Sequence, residues 1–385
     1  MSIVRNTDAL AELCQRLARQ PAIIVDTEFM RDRSYWSKLC LVQVAAEGQV
    51  WAIDPLAEGI ELSPLHDLMA APDVLKVFHA ARQDLEIFFH ATGLVPGPLF
   101  DTQVAAMVCG LGEQIGFEML VQRLTGRRLD KSAQFTDWAR RPLSPRQLDY
   151  ALADVRHLAE VYKVLEQRLK DSGRAHWLNE EMAILADPGT YALVPEQAWR
   201  RLKPRGRNPR YLGVLKEVAA WRELEAQRRD LPRGHVLRDE AVLELAAERP
   251  TGADGLRALR AVPKSFADNA MGEGLLNAIR RGLELPEAAL PVLAEEPQIN
   301  AGPALELLKV LLKQQCNEHG VAAKLVASSE DLARIASDPR ADLPALSGWR
   351  REVFGDAALA LLSGRLALTA RKGRIELLAV NGGTK

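Results

Sequence analysis

An unbroken apolar run, Ile23-Ile24-Val25, is followed at once by Asp26, Thr27 and Glu28. A strand sends alternate side chains to the same face, so the pattern predicts a strand over 22–27 with both carboxylates projecting together. Ahead of it, Leu10, Leu13, Cys14 and Leu17 recur at helical spacing and predict an amphipathic helix over 7–18, with Thr7 or Asp8 as cap. Behind it, after a polar turn over 31–38, the runs 39–44 and 50–54 meet at Glu47-Gly48 and predict an antiparallel hairpin. A strand over 75–79 leads into a helix over about 82–91, and Leu99-Phe100 into Asp101 and a helix over 104–109. Strands alternating with helices after a hairpin predict an α/β domain on a mixed sheet.

Ser144-Pro145-Arg146-Gln147 reads as a capping box with proline at the first helical position, and it opens a long helix through Tyr150, Asp154, Leu158, Val161 and Leu165. Beyond residue 196 only helical patterns follow: 211–229, 239–247, 252–260 and 264–282, then 302–318, 329–337, 346–354 and 356–363. The 385 residues exceed what one core supports. Punctuation at Pro188-Gly189 and from Leu285 to Pro297 divides them into an α/β domain, 1–192, and two all-α domains, 193–290 and 291–385. The two helical parts match in size and helix count, without a residue-level repeat.

The net charge of −1 excludes a uniformly basic surface, so any nucleic-acid site must be a local patch. Two segments qualify. Residues 121–146 carry seven basic and two acidic side chains, a net +5, and residues 196–238 carry twelve and five, a net +7. The four cysteines form no Cys-x-x-Cys pair, which argues against a zinc site and for reduced thiols. No apolar run reaches membrane-spanning length, and Arg5, Asp8, Glu12, Arg16 and Arg19 interrupt the region where a signal peptide would need an apolar core. A cytoplasmic location is expected. The glycines of 110–116 miss the dinucleotide-loop spacing by one residue, and no Gly-Lys dipeptide exists to build a Walker A loop.

Taken alone, Asp26 and Glu28 are an ordinary polar strand end. Asp84 sits in the first turn of a helix, where the dipole favours a carboxylate, and Asp154 follows Tyr150 by four residues on one helix face. Together they form an ordered series: Asp-x-Glu on a strand, Asp early in the following helix, then Tyr-x-x-x-Asp on a capped helix. Val25-Asp26-Thr27-Glu28-Phe29, the stretch from Val77 to Leu85, and Asp137 to Ser144 continuing into Tyr150 to Asp154 resemble the ribonuclease D family, in the tyrosine-type branch of the DEDD 3′-to-5′ exonucleases. The histidine-type branch would place histidine where Asp149 stands, and His157 lies on the wrong side of Asp154.

The resemblance implies a ribonuclease H-like fold for the first domain and a site holding two divalent cations, Mg²⁺ or Mn²⁺. Asp26 would bridge both ions, Glu28 and Asp154 would complete the one that generates hydroxide, Asp84 would help hold the other, and Tyr150 would orient the attacking water. Electrostatics supplies an independent reason, since converging carboxylates repel one another unless cations neutralise them, and paired cations suit in-line phosphodiester hydrolysis.

For substrate, Phe29 is a candidate to stack on the terminal base, Trp138 and Arg141 to steer the backbone, and Lys131 to bind phosphate. The stretch from Trp221 through Leu237 to Pro250 resembles the helicase-and-RNase-D C-terminal (HRDC) domain. Its +7 segment makes Arg205, Arg207 and Arg233 candidate phosphate contacts. Residues 291–385, with Trp349 to Gly355, resemble a second such module, lack a strong basic run, and are expected to shape a channel. The implied activity is that of a monomeric, cytoplasmic 3′-to-5′ exoribonuclease, a hydrolase releasing 5′-mononucleotides from structured RNA, chiefly tRNA precursors. The competing readings are a DNA-directed 3′-to-5′ exonuclease and a non-catalytic RNA-binding protein on a nuclease scaffold.

Overall fold

The computed structural model describes residues 2–130, 133–293 and 302–380. They fall into two compact units, one of Met1–Glu28, Leu41–Thr190 and Glu296–Lys385, the other of Phe29–Cys40 and Tyr191–Glu295.

A six-stranded sheet carries the site. Its strands are β1 (Ser2–Val4), β2 (Ala22–Met30), β3 (Lys38–Ala46), β4 (Gln49–Ile53), β5 (Leu75–Phe78) and β6 (Leu99–Asp101), in spatial order β1-β4-β3-β2-β5-β6. The mixed character is as expected: β3 and β4 are antiparallel, whereas β2–β5, β5–β6 and β1–β4 are parallel. Glu47 and Gly48 both take positive φ, 50° and 75°, the geometry of a tight two-residue hairpin turn. The β1 strand, three residues long, is too short to show a period. β2 has neighbours on both sides, and Ile23, Ile24 and Val25 are buried, which fixes the carboxylates at its end to a rigid support.

Seven helices accompany the sheet: α1 (Thr7–Leu17), α2 (Ser63–Ala70), α3 (Arg82–Thr92), α4 (Thr102–Val108), α5 (Phe117–Thr125), α6 (Pro145–Ser172) and α7 (Ala175–Ala186). The cap of α1 is Asn6 and not Thr7 or Asp8, because its amide oxygen accepts from the Ala9 N–H at 2.9 Å. α4 begins two residues earlier than predicted, because the Asp101 carboxylate accepts from the Gln103 and Val104 N–H groups.

The second unit is built on α8 (Pro209–Arg229), α9 (Arg233–Val236), α10 (Asp239–Glu248), α11 (Ala253–Ala258) and α12 (Ala270–Glu284). α8 and α12 pack so closely that a Cβ on Gly282 would stand 2.5 Å from the Val214 Cα. The helix predicted over 264–282 is interrupted: Asn269 is extended and caps α12 through the Met271 N–H at 2.9 Å. The segment expected as a polar turn, 31–38, instead buries an aromatic. Tyr35 enters this unit's core, donates to Glu223 and accepts from Arg233 and Gln227, both at 3.1 Å.

Returning to the first unit, α13 (Ala304–His319), α14 (Ala323–Val326), α15 (Ser329–Ser337), α16 (Gly348–Arg350) and α17 (Asp356–Leu362) are joined by a π turn over 351–355. They do not make this part purely helical. It ends in an antiparallel hairpin, β7 (Leu366–Arg371) and β8 (Arg374–Ala379), turning at Lys372-Gly373 with positive φ at both. Trp349 stacks on Trp177 of α7 at 4.4 Å, and Arg350 pairs with Glu180 and Glu181. Gly110, at φ +68°, lies where a Cβ would meet the Gly320 oxygen at 2.5 Å. Among the described residues, no helix is long and apolar enough to cross a membrane.

Candidate active site

Strand alternation works as the sequence predicts. Asp26 and Glu28, two apart on β2, and Asp154 on α6 each place one carboxylate oxygen within 4.8 Å of the others. They line a cavity of about 220 Å³ together with Thr27, His79, Phe117, Gln134, Tyr150 and Leu158. Among the described residues, no lysine or arginine lines it.

The register of α6 is set at its first turn. Ser144 Oγ accepts from the Gln147 N–H at 3.2 Å, and Gln147 Oε1 accepts from the Ser144 N–H at 3.0 Å. One turn on, Tyr150 and Asp154 share a face, and both line the cavity. Trp138 is buried behind this face, its ring 6.1 Å from that of Tyr150. It backs Tyr150 instead of facing the cavity.

Asp84 stands apart from the trio. It is buried in the first turn of α3 and accepts the Thr27 hydroxyl proton. Asp101, the other acidic residue in this neighbourhood, is fully occupied: besides capping α4, it accepts from the Ala80 and Ala81 N–H groups at 3.0 and 2.8 Å, holding Ala80 at φ 56°. Its role is that of a helix cap and turn.

The electrostatics match the donor set to cations. Burial, then repulsion from Asp26, Asp154 and Asp84, pushes Glu28 up to about 9. Burial, then Asp26, raises Asp84 and Asp154 to about 8 each. Burial raises Asp26 to about 6. Tyr150 is driven upward by burial and by Asp154, so its hydroxyl keeps its proton. Carboxylates this crowded, with no basic side chain among the described cavity-lining residues, fit hard divalent cations with oxygen ligands.

His79 was not legible as a cavity residue. Thr102 Oγ1 donates to the Phe78 carbonyl at 3.0 Å and therefore accepts from His79 Nδ1 at 2.9 Å. Burial lowers the histidine's pKa, so the ring is neutral. Phe117 packs against it at 5.2 Å.

The other substrate candidates divide. Arg141 does not turn to the cavity; its guanidinium grips buried Asp54 at 2.6 to 3.0 Å and pins the loop. Arg233 is likewise committed, to Glu223 and the Tyr35 ring at 4.9 Å. Arg205 and Arg207 are exposed. Phe29 is half-buried and does not line the cavity. Lys131 lies outside the described residues.

Residues 1–170 match the 3′-5′ exonuclease family and residues 212–279 the HRDC domain. Ribonuclease D of Nitrobacter hamburgensis is 50% identical over 377 residues, covering 97% of this chain and 98% of its own. Ribonuclease D of Granulibacter bethesdensis is 48% identical, covering 98% and 96%. The crystal structure of Escherichia coli RNase D, described as an exoribonuclease involved in structured RNA processing, superposes with a TM-score of 0.78 at 32% identity, covering 94% of this chain and 98% of that one. The chain belongs to the ribonuclease D family of 3′-to-5′ exoribonucleases.

Proposed function

We propose that this chain hydrolyses phosphodiesters at the 3′ ends of structured RNA, notably tRNA precursors, and releases 5′-mononucleotides. What supports the reading is the meeting of Asp26, Glu28 and Asp154, with Tyr150 beside them, in one cavity. Two divalent cations, Mg²⁺ or Mn²⁺, held by Asp26, Glu28, Asp154 and Asp84, would neutralise the carboxylates and polarise the scissile phosphodiester. Asp26 would serve as a ligand to both. Tyr150, its proton retained, orients the attacking water. Thr27 holds Asp84 in place.

The chain works as a cytoplasmic monomer in three parts, 1–192, 193–290 and 291–385, the second and third being HRDC-like. The HRDC match over 212–279 lies inside the second part. Exposed Arg205 and Arg207 contribute phosphate contacts there, Lys131 does so in the loop before α6, and Phe29 borders the terminal nucleotide.

The test is incubation of purified protein with a 3′-extended tRNA and with matched single-stranded DNA, in Mg²⁺, Mn²⁺ or EDTA. Metal-dependent trimming of the RNA is expected. Equal digestion of the DNA would favour a DNA exonuclease, and binding without cleavage would favour a scaffold role.

A further inference from the structure

Outside the catalytic cluster, one side chain is placed as if for a ligand. Phe135 is 93% exposed, the most exposed large hydrophobic side chain among the described residues. In the free protein its ring therefore gains almost nothing from burial. The backbone beneath it is nevertheless tied down. Thr136 Oγ1 donates to the Ala133 carbonyl at 2.7 Å, and the Thr136 N–H to the same oxygen at 3.2 Å. Gln147, already locked in the capping box of α6, donates from Nε2 to Thr136 Oγ1 at 3.1 Å and to the Asp137 carbonyl at 3.3 Å. Ala133 and Trp138, on either side, are buried. The turn is thus anchored at both ends and fastened to the helix that carries Tyr150 and Asp154, while Phe135 is held out into water.

Position supplies the second observation. Gln134 lines the carboxylate cavity. Phe135 follows it directly, with its Cα about 3.8 Å further on. Phe135 does not itself line the cavity, but its backbone is adjoined directly to a residue that does.

We propose that Phe135 is a stacking platform for a nucleobase of the RNA strand entering the cavity; this rests on the exoribonuclease reading above. Every base presents a flat π face, so stacking is tolerant of sequence. That suits an enzyme that removes one nucleotide after another. A protein partner fits the surface less well, because Gln134, Thr136 and Asp137, the residues beside Phe135 in the turn, are exposed and polar.

The experiment compares the wild type with Phe135→Ala and Phe135→Trp on an RNA oligonucleotide and on versions carrying a single abasic site at each of the last few nucleotides in turn. Phe135→Ala should raise KM roughly ten-fold on intact RNA with kcat little changed. Phe135→Trp should restore it. One abasic position should cost the wild type a similar factor and cost Phe135→Ala nothing further. The proposal is overturned if Phe135→Ala keeps the wild-type KM, or if its loss is the same at every abasic position, which would mark a structural role. Metal-dependent trimming by the wild type reads out the exoribonuclease activity separately, so the two claims fail independently.

Discussion

The Thr27 hydroxyl donates to the Asp84 carboxylate, tying the middle residue of the Asp-Thr-Glu strand end to the first turn of α3. Thr27 lines the cavity with Asp26 and Glu28, and its hydroxyl holds Asp84, which does not line it. This accounts for Asp84 standing outside the close trio. Thr27→Val keeps the β-branched shape and removes the donor, leaving Asp84 buried without it. It should weaken metal dependence, raising the Mg²⁺ needed for half-maximal activity roughly ten-fold, at about 1–3 kcal/mol of stability. Thr27→Ser should behave as wild type in both metal titration and thermal melt.

Tyr150 lines the cavity beside the carboxylate trio, and in the proposed reaction it orients the attacking water. Tyr150→Phe removes its hydroxyl and leaves the ring beside Trp138. The expected result is a loss of roughly 100-fold in kcat with the Mg²⁺ requirement unchanged. Single-turnover kinetics across a Mg²⁺ series separates this from a defect in metal binding.

The raised carboxylates give a stability signature with a definite sign. Unfolded, these groups titrate near their ordinary values of about 4. Folded and metal-free, Asp26 titrates at about 6, Asp84 and Asp154 at about 8 and Glu28 at about 9. Over that window the folded chain binds more protons than the unfolded one, so its stability falls as pH rises through those values. Divalent cations replace the missing protons. In melts with EDTA, Tm should fall from about pH 5 to about pH 9, and the increase in Tm on adding Mg²⁺ should grow over the same range. A Mg²⁺ shift that is flat or shrinking with pH would count against the site.

Arg233 and Arg205 separate structure from binding. Arg233 pairs with Glu223, whose side chain is only 3% exposed, so Arg233→Met strands a buried charge. A loss of about 3 kcal/mol is expected, eased by Arg201 at 3.8 Å. The salt dependence of RNA binding should not change. Replacing Arg205 and Arg207 should do the reverse, leaving the melt intact and reducing the salt slope by about one for each phosphate no longer neutralised. Chemical denaturation and binding isotherms at several salt concentrations distinguish the two cases.

The convergence of Asp26, Glu28, Tyr150 and Asp154 on one cavity was legible because each depends on local rules. Alternation on a strand, the first turn of a helix and a four-residue step after a capping box are all short-range, and the capping box itself formed as written at Ser144 and Gln147. What the sequence hid depends on partners far along the chain. Arg233 and Arg141 read as free cations because Glu223, Tyr35 and Asp54 could not be seen beside them. Tyr35 sat in a polar stretch whose apolar contacts come from a helix nearly two hundred residues on. His79 reached the cavity through the β5–α3 turn held by Asp101, a tertiary contact without a periodic trace. The β7–β8 hairpin carries a turn signal at Lys372-Gly373, but it follows a long series of helical patterns that set the wrong expectation.

The central claim is that the carboxylates converging at Asp26 drive metal-dependent removal of nucleotides from RNA 3′ ends. Asp26→Asn is nearly isosteric and removes one negative charge from the shared position. The decisive measurement is the release of 5′-mononucleotides from a 3′-labelled, 3′-extended tRNA in Mg²⁺ by wild type and by this variant, with folding verified by circular dichroism. The account predicts trimming by the wild type that EDTA stops, and no release above background by a folded Asp26→Asn. Undiminished release by that variant would contradict it.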